Sequence, residues 1–166
     1  MKLNIRNKWI SLKGSSTVTD MDENPVLKVE GKFFTFTRKK FVKDLQGNLL
    51  FTVRNKFWRL FAYSAFIYDA NGKQLAKIRR KVFSFRDRYF ITSDYGNFEI
   101  SGNILQFNYR IIFNGKEVGH VARNISLRDS FVLTIDESFD YRFMVALVIA
   151  IDNITDQRNA NNSSSY

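Results

Sequence analysis

Apolar and polar residues alternate along most of the chain in short runs of strand length. In residues 49–56, Leu49, Phe51 and Val53 fall on one face of an extended chain, and the polar positions from Thr52 onward fall on the other. Turn signals rich in Gly, Asn and Asp separate such runs, at residues 22–25, 44–48, 69–73, 101–103 and 113–117. Many short strands joined by regular turns predict a β-sandwich or a β-barrel.

The turns belong to an internal repeat with a period of about 25 residues, which is long enough for one pair of strands. Residues 83–92 and 125–134 match as apolar-Ser-apolar-Arg-Asp and both end in Thr. The longer interval 92–113 holds an extra pair of strands. The repeat therefore predicts about ten to twelve strands, and a sheet of that size usually curls or closes on itself.

One segment breaks this pattern, because residues 143–151, FMVALVIAI, are apolar without interruption. A nine-residue helix is about 14 Å long, less than half of a bilayer core of about 30 Å, so a membrane span is not expected. Met, Ala and Leu in this run favour a helix over a strand, although a buried strand is an alternative. We predict a helix over residues 139–155, with Ser138 as its N-cap.

A helix that is apolar on every side must be buried on every side. The chain is therefore predicted to be mostly β, a closed antiparallel barrel of strands around a buried C-terminal hydrophobic helix. One domain is expected over residues 1–156. Residues 157–166 are polar and low in complexity, and we interpret them as a flexible tail.

The order of these units resembles the LURP-one-related (YxjI-type) family of small domains, which have the tubby C-terminal-like fold. The resemblance rests on residues 9–34, 44–56, 76–91 and 143–154, and it covers nearly the whole chain. It implies a barrel of twelve strands around a central C-terminal helix. It also implies a relation to phospholipid scramblases and to tubby domains that bind phosphoinositide headgroups.

The composition of the chain limits the kinds of site and partner that can be expected. The 166 residues include no Cys, which excludes a disulfide scaffold, a thiolate metal site and a cysteine nucleophile. No apolar stretch follows the charged start of the chain, so a secretory signal is not expected. The formal net charge of +10 makes phosphate-bearing partners plausible, and a well-solvated basic surface explains the same charge.

Residues with catalytic or metal-binding chemistry have simpler interpretations. Asp20, Asp22 and Asn24 have the opening spacing of a calcium loop, but Pro25 and Gly31 stand where that loop needs Gly and Glu, so we predict a hairpin turn. The single histidine, His120, is expected on a strand surface. We predict no catalytic residues, no metal site, no cofactor and no enzymatic activity.

The basic residues form the one asymmetric pattern. Strand alternation places Arg54 and Lys56 on the outer face of one repeat unit, and Lys77, Arg79 and Lys81 on the outer face of the next. Glu30 and Ala122 interrupt this pattern in the flanking units. The predicted site for an anion or a lipid headgroup is completed by three basic residues that follow strands, namely Arg59, Arg86 and Arg88.

Three functions compete. The first is a non-enzymatic cytoplasmic domain that binds anionic, phosphoinositide-like phospholipid headgroups and is peripheral at the membrane. The second is a structural or protein-interaction domain without a small ligand, in which the basic residues are only a solvated face that blocks edge pairing. The third alternative is nucleic-acid binding. It is weaker than the other two because the Phe residues are expected mainly in the core and not in a platform on which bases stack.

Overall fold

The computed structural model describes residues 1–6, 15–31, 39–55, 64–81, 87–126 and 130–163, with side chains up to Asp156. The described residues form one helix, α1 (Tyr141–Ser163), after twelve strands: β1 (Lys2–Arg6), β2 (Ser15–Thr19), β3 (Pro25–Gly31), β4 (Lys40–Lys43), β5 (Leu49–Asn55), β6 (Ser64–Asp69), β7 (Gln74–Arg80), β8 (Asp87–Ser93), β9 (Gly96–Asn103), β10 (Asn108–Phe113), β11 (Lys116–Arg123) and β12 (Ser130–Ile135).

The strands form a closed antiparallel barrel in which each strand pairs with its neighbours in sequence. The first strand, β1, closes the barrel by pairing with β12, with Leu3 opposite Leu133. Closure leaves no exposed sheet edge, which is how a sheet of this size avoids edge-to-edge association. The predicted mostly-β barrel of about twelve strands with a C-terminal helix is confirmed.

The antiparallel order gives the barrel two different ends. Turns of two to five residues meet at one end, which we call the turn end: residues 20–24, 44–48, 70–73, 94–95, 114–115 and 136–140. The opposite end, which we call the loop end, joins strands through residues 7–14, 32–39, 56–63, 81–86, 104–107 and 124–129. Since α1 follows the connection 136–140, it enters the barrel at the turn end and runs toward the loop end.

The repeat detected in the sequence corresponds to a repeated turn structure. The Asp20 carboxylate accepts hydrogen bonds from the backbone N–H groups of Asp22 and Asn24 and from the Asn24 side chain. Asp44 and Asp69 accept the equivalent N–H groups in the next two turns. Asp20 is therefore satisfied by its own turn, as expected for a hairpin and not for a calcium loop.

The helix begins two residues later than predicted, and its N-cap differs. Asp140, not Ser138, is the cap, because its carboxylate accepts the backbone N–H of Arg142 and its carbonyl accepts that of Met144. Ser138 instead bonds to Asp136 within the preceding turn. The helix continues to Ser163, beyond the predicted end at residue 155. The single-domain boundary and the flexibility of the tail stay predictions.

Residues 143–151 of α1 are all buried, and none exceeds 5% exposure. Aromatic rings close the barrel around the start of this helix: the Phe143 ring lies 4.3 Å from Tyr95 and 6.1 Å from both Phe51 and Phe98. On β11, Gly119 lets the helix approach closely, because a Cβ there would lie 3.1 Å from Met144 Cε. The apolar run is thus the centre of the core.

Toward the loop end, the contacts between helix and barrel become polar. Lys40 points inward from β4, and its Nζ lies 2.8 Å from Asp152 Oδ2; the two side chains are 11% and 10% exposed. Asn55 on β5 donates from Nδ2 to the carbonyl of Asn153 at 2.9 Å. These bonds fix the position of the helix along the barrel axis, since each one joins a strand to a particular helical turn.

Replacing Leu147 by Asp should unfold the domain. Leu147 is completely buried among apolar side chains, and an unpaired charge there costs several kcal/mol, about the whole stability of a typical domain. Circular dichroism during thermal denaturation measures this. A soluble Leu147→Asp variant with an unchanged, cooperative transition would contradict the buried central helix.

Removing one partner of the inner ion pair should destabilise the barrel more than removing both. Asp152→Ala leaves the Lys40 ammonium nearly buried without its partner, and we expect a loss of about 3 kcal/mol in the free energy of unfolding. The double variant Lys40→Met, Asp152→Leu should recover most of that loss. Urea denaturation measures the free energy of unfolding of each variant. Equal values for the single and the double variant would contradict this prediction.

Candidate anion-binding surface

The outer face of strands β5 to β8 carries cations beside aromatic side chains. Strand alternation turns Val53, Ile67 and Ile78 inward, where they are buried, so the intervening residues face outward. Across the strands Arg54 lies opposite Phe66, and Phe66 lies opposite Lys77. One row of the sheet therefore places an aromatic ring between two cations that are two strand spacings, about 10 Å, apart.

Contacts with the aromatic rings orient both cations. The Arg54 guanidinium carbon lies 4.4 Å from the centre of the Tyr68 ring, and Arg54 Nη2 donates to Tyr68 Oη at 2.6 Å. The ammonium of Lys77 lies 6.0 Å from the centre of the Phe66 ring. Neither contact neutralises the charge, because the partners are rings and a phenol. The remaining N–H donors of Arg54 can bind an anion.

A second row of the same face adds an exposed pair. Arg79 on β7 lies opposite Phe90 on β8, and both side chains are exposed; Phe90 is 44% exposed although it is a large apolar residue. Lys81 follows β7 and is also exposed. Arg88 is different, because its Nε lies 3.7 Å from Glu99 Oε1, and this carboxylate offsets part of its charge. We call Arg54, Phe66, Tyr68, Lys77, Arg79 and Phe90 the basic-aromatic face.

Five of the eight predicted site residues lie in the part of the chain that the structure describes. Lys77, Arg79 and Lys81 follow one another along the outer side of β7 and its end, and Arg54 faces Lys77 across β6. Arg88 is on the neighbouring β8. The other three, Lys56, Arg59 and Arg86, lie outside the described residues, so their place in the site stays a prediction.

The aromatic members of this face are absent from the sequence-based site. The sequence predicts Phe residues mainly in the core, yet Phe66 is only partly buried and Phe90 is exposed. Strand alternation could have indicated the outward position of Phe66. Its neighbours Ala65 and Ile67 are both fully buried, and successive side chains of a strand point to opposite faces. An aromatic residue between two inward-facing positions must point outward.

A concavity with a volume of about 510 Å³ lies at the loop end beside β9 to β11. Its lining includes Arg110 and His120, but both face Glu117: His120 Nδ1 lies 3.6 Å from Glu117 Oε1, and Arg110 Nε lies 4.0 Å from Oε2. His120 is a half-exposed strand residue, as predicted. The carboxylate makes this groove a weaker anion site than the basic-aromatic face.

Tyr109 is the strongly perturbed titratable group of that groove. Burial raises the pKa of its phenol well above the ordinary value, and the negative charge of Asp152 raises it further. The phenol therefore keeps its proton at neutral pH, and the shift follows from burial in the core. Within the residues described, no group of three or more His, Cys, Asp and Glu side chains could hold a metal ion.

The family of the chain is decided by a comparison with protein-family models. The model for LURP-one-related proteins matches residues 1–152. The chain belongs to the LURP-one-related family. This LURP-one-related domain is 25% identical to the uncharacterized protein YxjI of Bacillus subtilis (strain 168) over 155 residues, which are 93% of each chain.

The solved structures support the same fold. An X-ray structure of a protein from Arabidopsis thaliana superposes with a TM-score of 0.68 at 15% identity, over 93% of this chain and 91% of the other. This likeness shows the fold alone. The further relation to tubby and scramblase domains stays a prediction. In the described part of the LURP-one-related domain, no helix is long and apolar enough to cross a membrane.

Proposed function

We propose that this LURP-one-related domain is a non-catalytic, cytoplasmic module that binds anionic phospholipid headgroups at a membrane surface. The observation that carries the proposal is the basic-aromatic face, where Arg54, Lys77 and Arg79 surround outward-facing rings on adjacent strands. The exposed ring of Phe90 lies opposite Arg79 and adds an apolar surface beside these cations.

The chemistry of this face suits a phosphate group at the boundary between water and lipid. Arginine donates hydrogen bonds to phosphate oxygens in a planar, bidentate arrangement, and lysine adds a point charge. Aromatic rings favour the headgroup level of a bilayer, where one side of the ring is apolar and the other is wet. Arg54, Lys77 and Arg79 have no carboxylate partner within 4.0 Å among the described residues.

Phosphoinositides are the preferred ligands within this class. Their headgroups carry several phosphates, and cations on β5 and β7 are separated by about 10 Å, a distance that a multivalent headgroup can bridge. The nearby cations Lys81 and Arg88 extend the positive field along β7 and β8. Long-range attraction of this kind weakens as salt screens it, with a Debye length of about 8 Å at physiological ionic strength.

The triple variant Arg54→Ala, Lys77→Ala, Arg79→Ala should weaken vesicle binding by about two orders of magnitude, because each cation near an anionic surface contributes about 1 kcal/mol. Co-sedimentation with phosphatidylcholine vesicles that contain phosphatidylserine or a phosphoinositide measures the binding. A larger loss on phosphoinositide vesicles than on phosphatidylserine vesicles would identify the multivalent headgroup as the ligand.

The matched control is Lys2→Ala, Lys73→Ala, Lys116→Ala, which removes three charges from the turn end of the same barrel. It should bind nearly as well as the unmodified protein. Equal binding by both triple variants would show that only net charge matters, and the proposed face would then be rejected. Binding of a short single-stranded oligonucleotide without any binding to vesicles would favour the nucleic-acid alternative instead.

A further inference from the structure

Four polar side chains form one row across the outer face of strands β8 to β11. Arg88 lies opposite Ser101, which has Arg110 opposite it on the other side. Arg110 in turn lies opposite His120. Because Ser101 is short and stands between two long arginine side chains, the surface is hollow at this point. The groove beside β9 to β11 opens here, and its volume of about 510 Å³ is typical of small-molecule sites.

A β-bulge in β11 turns Glu117 and His120 to the same side of the barrel. Residues three apart in a regular strand face opposite sides. Here the register of β11 against β10 shifts by one residue, and Val118 is the extra residue of the bulge. Glu117 therefore lies 3.6 Å from His120 Nδ1 and 4.0 Å from Arg110 Nε. Since Glu117 itself lies outside the groove lining, it orients both basic side chains and leaves their other nitrogens to a ligand.

The lining of the groove includes a position that requires glycine. Gly102 has a φ of +145°, and a Cβ there would lie 2.6 Å from the Asn108 carbonyl oxygen and 2.7 Å from Tyr109 Cα. Strands β9 and β10 can approach each other this closely only with glycine at this position. Their pairing places Asn103 opposite Asn108, one step beyond the row of cations.

The lining combines hydrogen-bonding groups with positive charge. Ser101, Asn103 and Asn108 offer hydroxyl and amide groups, which both donate and accept hydrogen bonds. Arg110 supplies a guanidinium, which binds phosphate in a bidentate arrangement. Asp87 is the acidic residue of this lining, and it accepts hydrogen bonds of 2.9 and 3.1 Å from the last arginine of β7, which offsets its charge. A ligand that matches these groups carries an anionic group and several hydroxyl groups.

We infer that this groove is a second binding site, for a phosphorylated polyol such as an inositol or sugar monophosphate. The phosphate lies against Arg110 and His120, whose protonated imidazole donates from Nε2 while Nδ1 faces Glu117. The hydroxyl groups of the polyol bond to Asn103 and Asn108. These contacts favour the polyol over a simple anion, which the nearby carboxylate of Glu117 repels. The site shares no residue with the basic-aromatic face, so the inference does not rest on the proposed function.

His120 is the single histidine of the chain, so its imidazole C–H signals in proton NMR report on this groove. The probe is inositol 1-phosphate at constant pH, compared with inorganic phosphate and with inositol. Inositol 1-phosphate should shift the His120 signals saturably, with a dissociation constant at least about tenfold lower than that of either part alone. Absence of a saturable shift, or an equal affinity for inorganic phosphate, would overturn the inference.

Three variants locate the binding. Arg110→Gln should weaken the binding of inositol 1-phosphate by about tenfold or more, while Lys116→Gln, which removes a charge at the turn end of β11, should have little effect. Asn108→Leu should weaken it by about fivefold and leave the binding of inorganic phosphate unchanged. All three side chains are exposed, so an unchanged melting temperature verifies the fold. Equal losses for Arg110→Gln and Lys116→Gln would mean that only net charge matters, and the site would be rejected.

Sedimentation with phosphatidylinositol phosphate vesicles separates the two sources of such a ligand. Weaker sedimentation of Arg110→Gln than of the unmodified protein would identify the lipid headgroup, and unchanged sedimentation with lost soluble binding would identify a free phosphorylated polyol. A His120 response without any sedimentation of the unmodified protein would reject the proposed function and leave this site in place. Sedimentation without a His120 response to inositol 1-phosphate would reject this site alone.

Discussion

The burial of a helix that is apolar on every side is the constraint on which the rest of the structure depends. Residues 143–151 offer no polar face to water, so an open sheet could cover only one side of the helix. A closed barrel covers all sides at once. The strand positions that face this apolar run must then be apolar, and most polar and basic residues of the strands face outward.

The same constraint separates the two ends of the barrel. The helix enters where β12 ends, so the turn end must hold the helix start, its Asp140 cap and the ring of aromatic side chains around Phe143. The loop end does not hold the start of the helix, and it contains the longer connections. Because the tight turns need Asp side chains to accept backbone N–H groups, Asp20, Asp44 and Asp69 lie at the turn end.

Much of the fold could be predicted because its signals are local. The apolar run 143–151, the Asp-containing turns and the strand alternation can each be recognised within a short stretch of sequence. Together they predict a barrel around a helix. The Lys40–Asp152 pair could not be predicted, since its members are 112 residues apart and each one looks like a surface charge in sequence. The Ser138 cap was wrong because Ser138 bonds to Asp136 in the preceding turn, and the Asp140 carboxylate, two residues later, accepts the N–H of Arg142.

The candidate site was only partly predictable for a related reason. Alternation identifies Arg54, Lys77 and Arg79 as outward residues, but it does not reveal that Phe66 lies between two of them. That placement depends on the register of three strands, which the turns set only when the whole barrel closes. Aromatic residues in a β-rich sequence are assigned to the core by default. The three outward rings of the basic-aromatic face were therefore not predicted.

Native-state hydrogen exchange tests most directly whether helix and barrel form one cooperative unit. The account predicts that the amides of Leu147 and Ile149 exchange only through global unfolding, with the same free energy and the same denaturant dependence as those of Val53 and Ile67 in the barrel wall. Exchange of the helix amides at a clearly lower free energy than the amides of the barrel wall, with a smaller but measurable denaturant dependence, would show that the helix leaves a barrel that stays folded. That result would contradict the account.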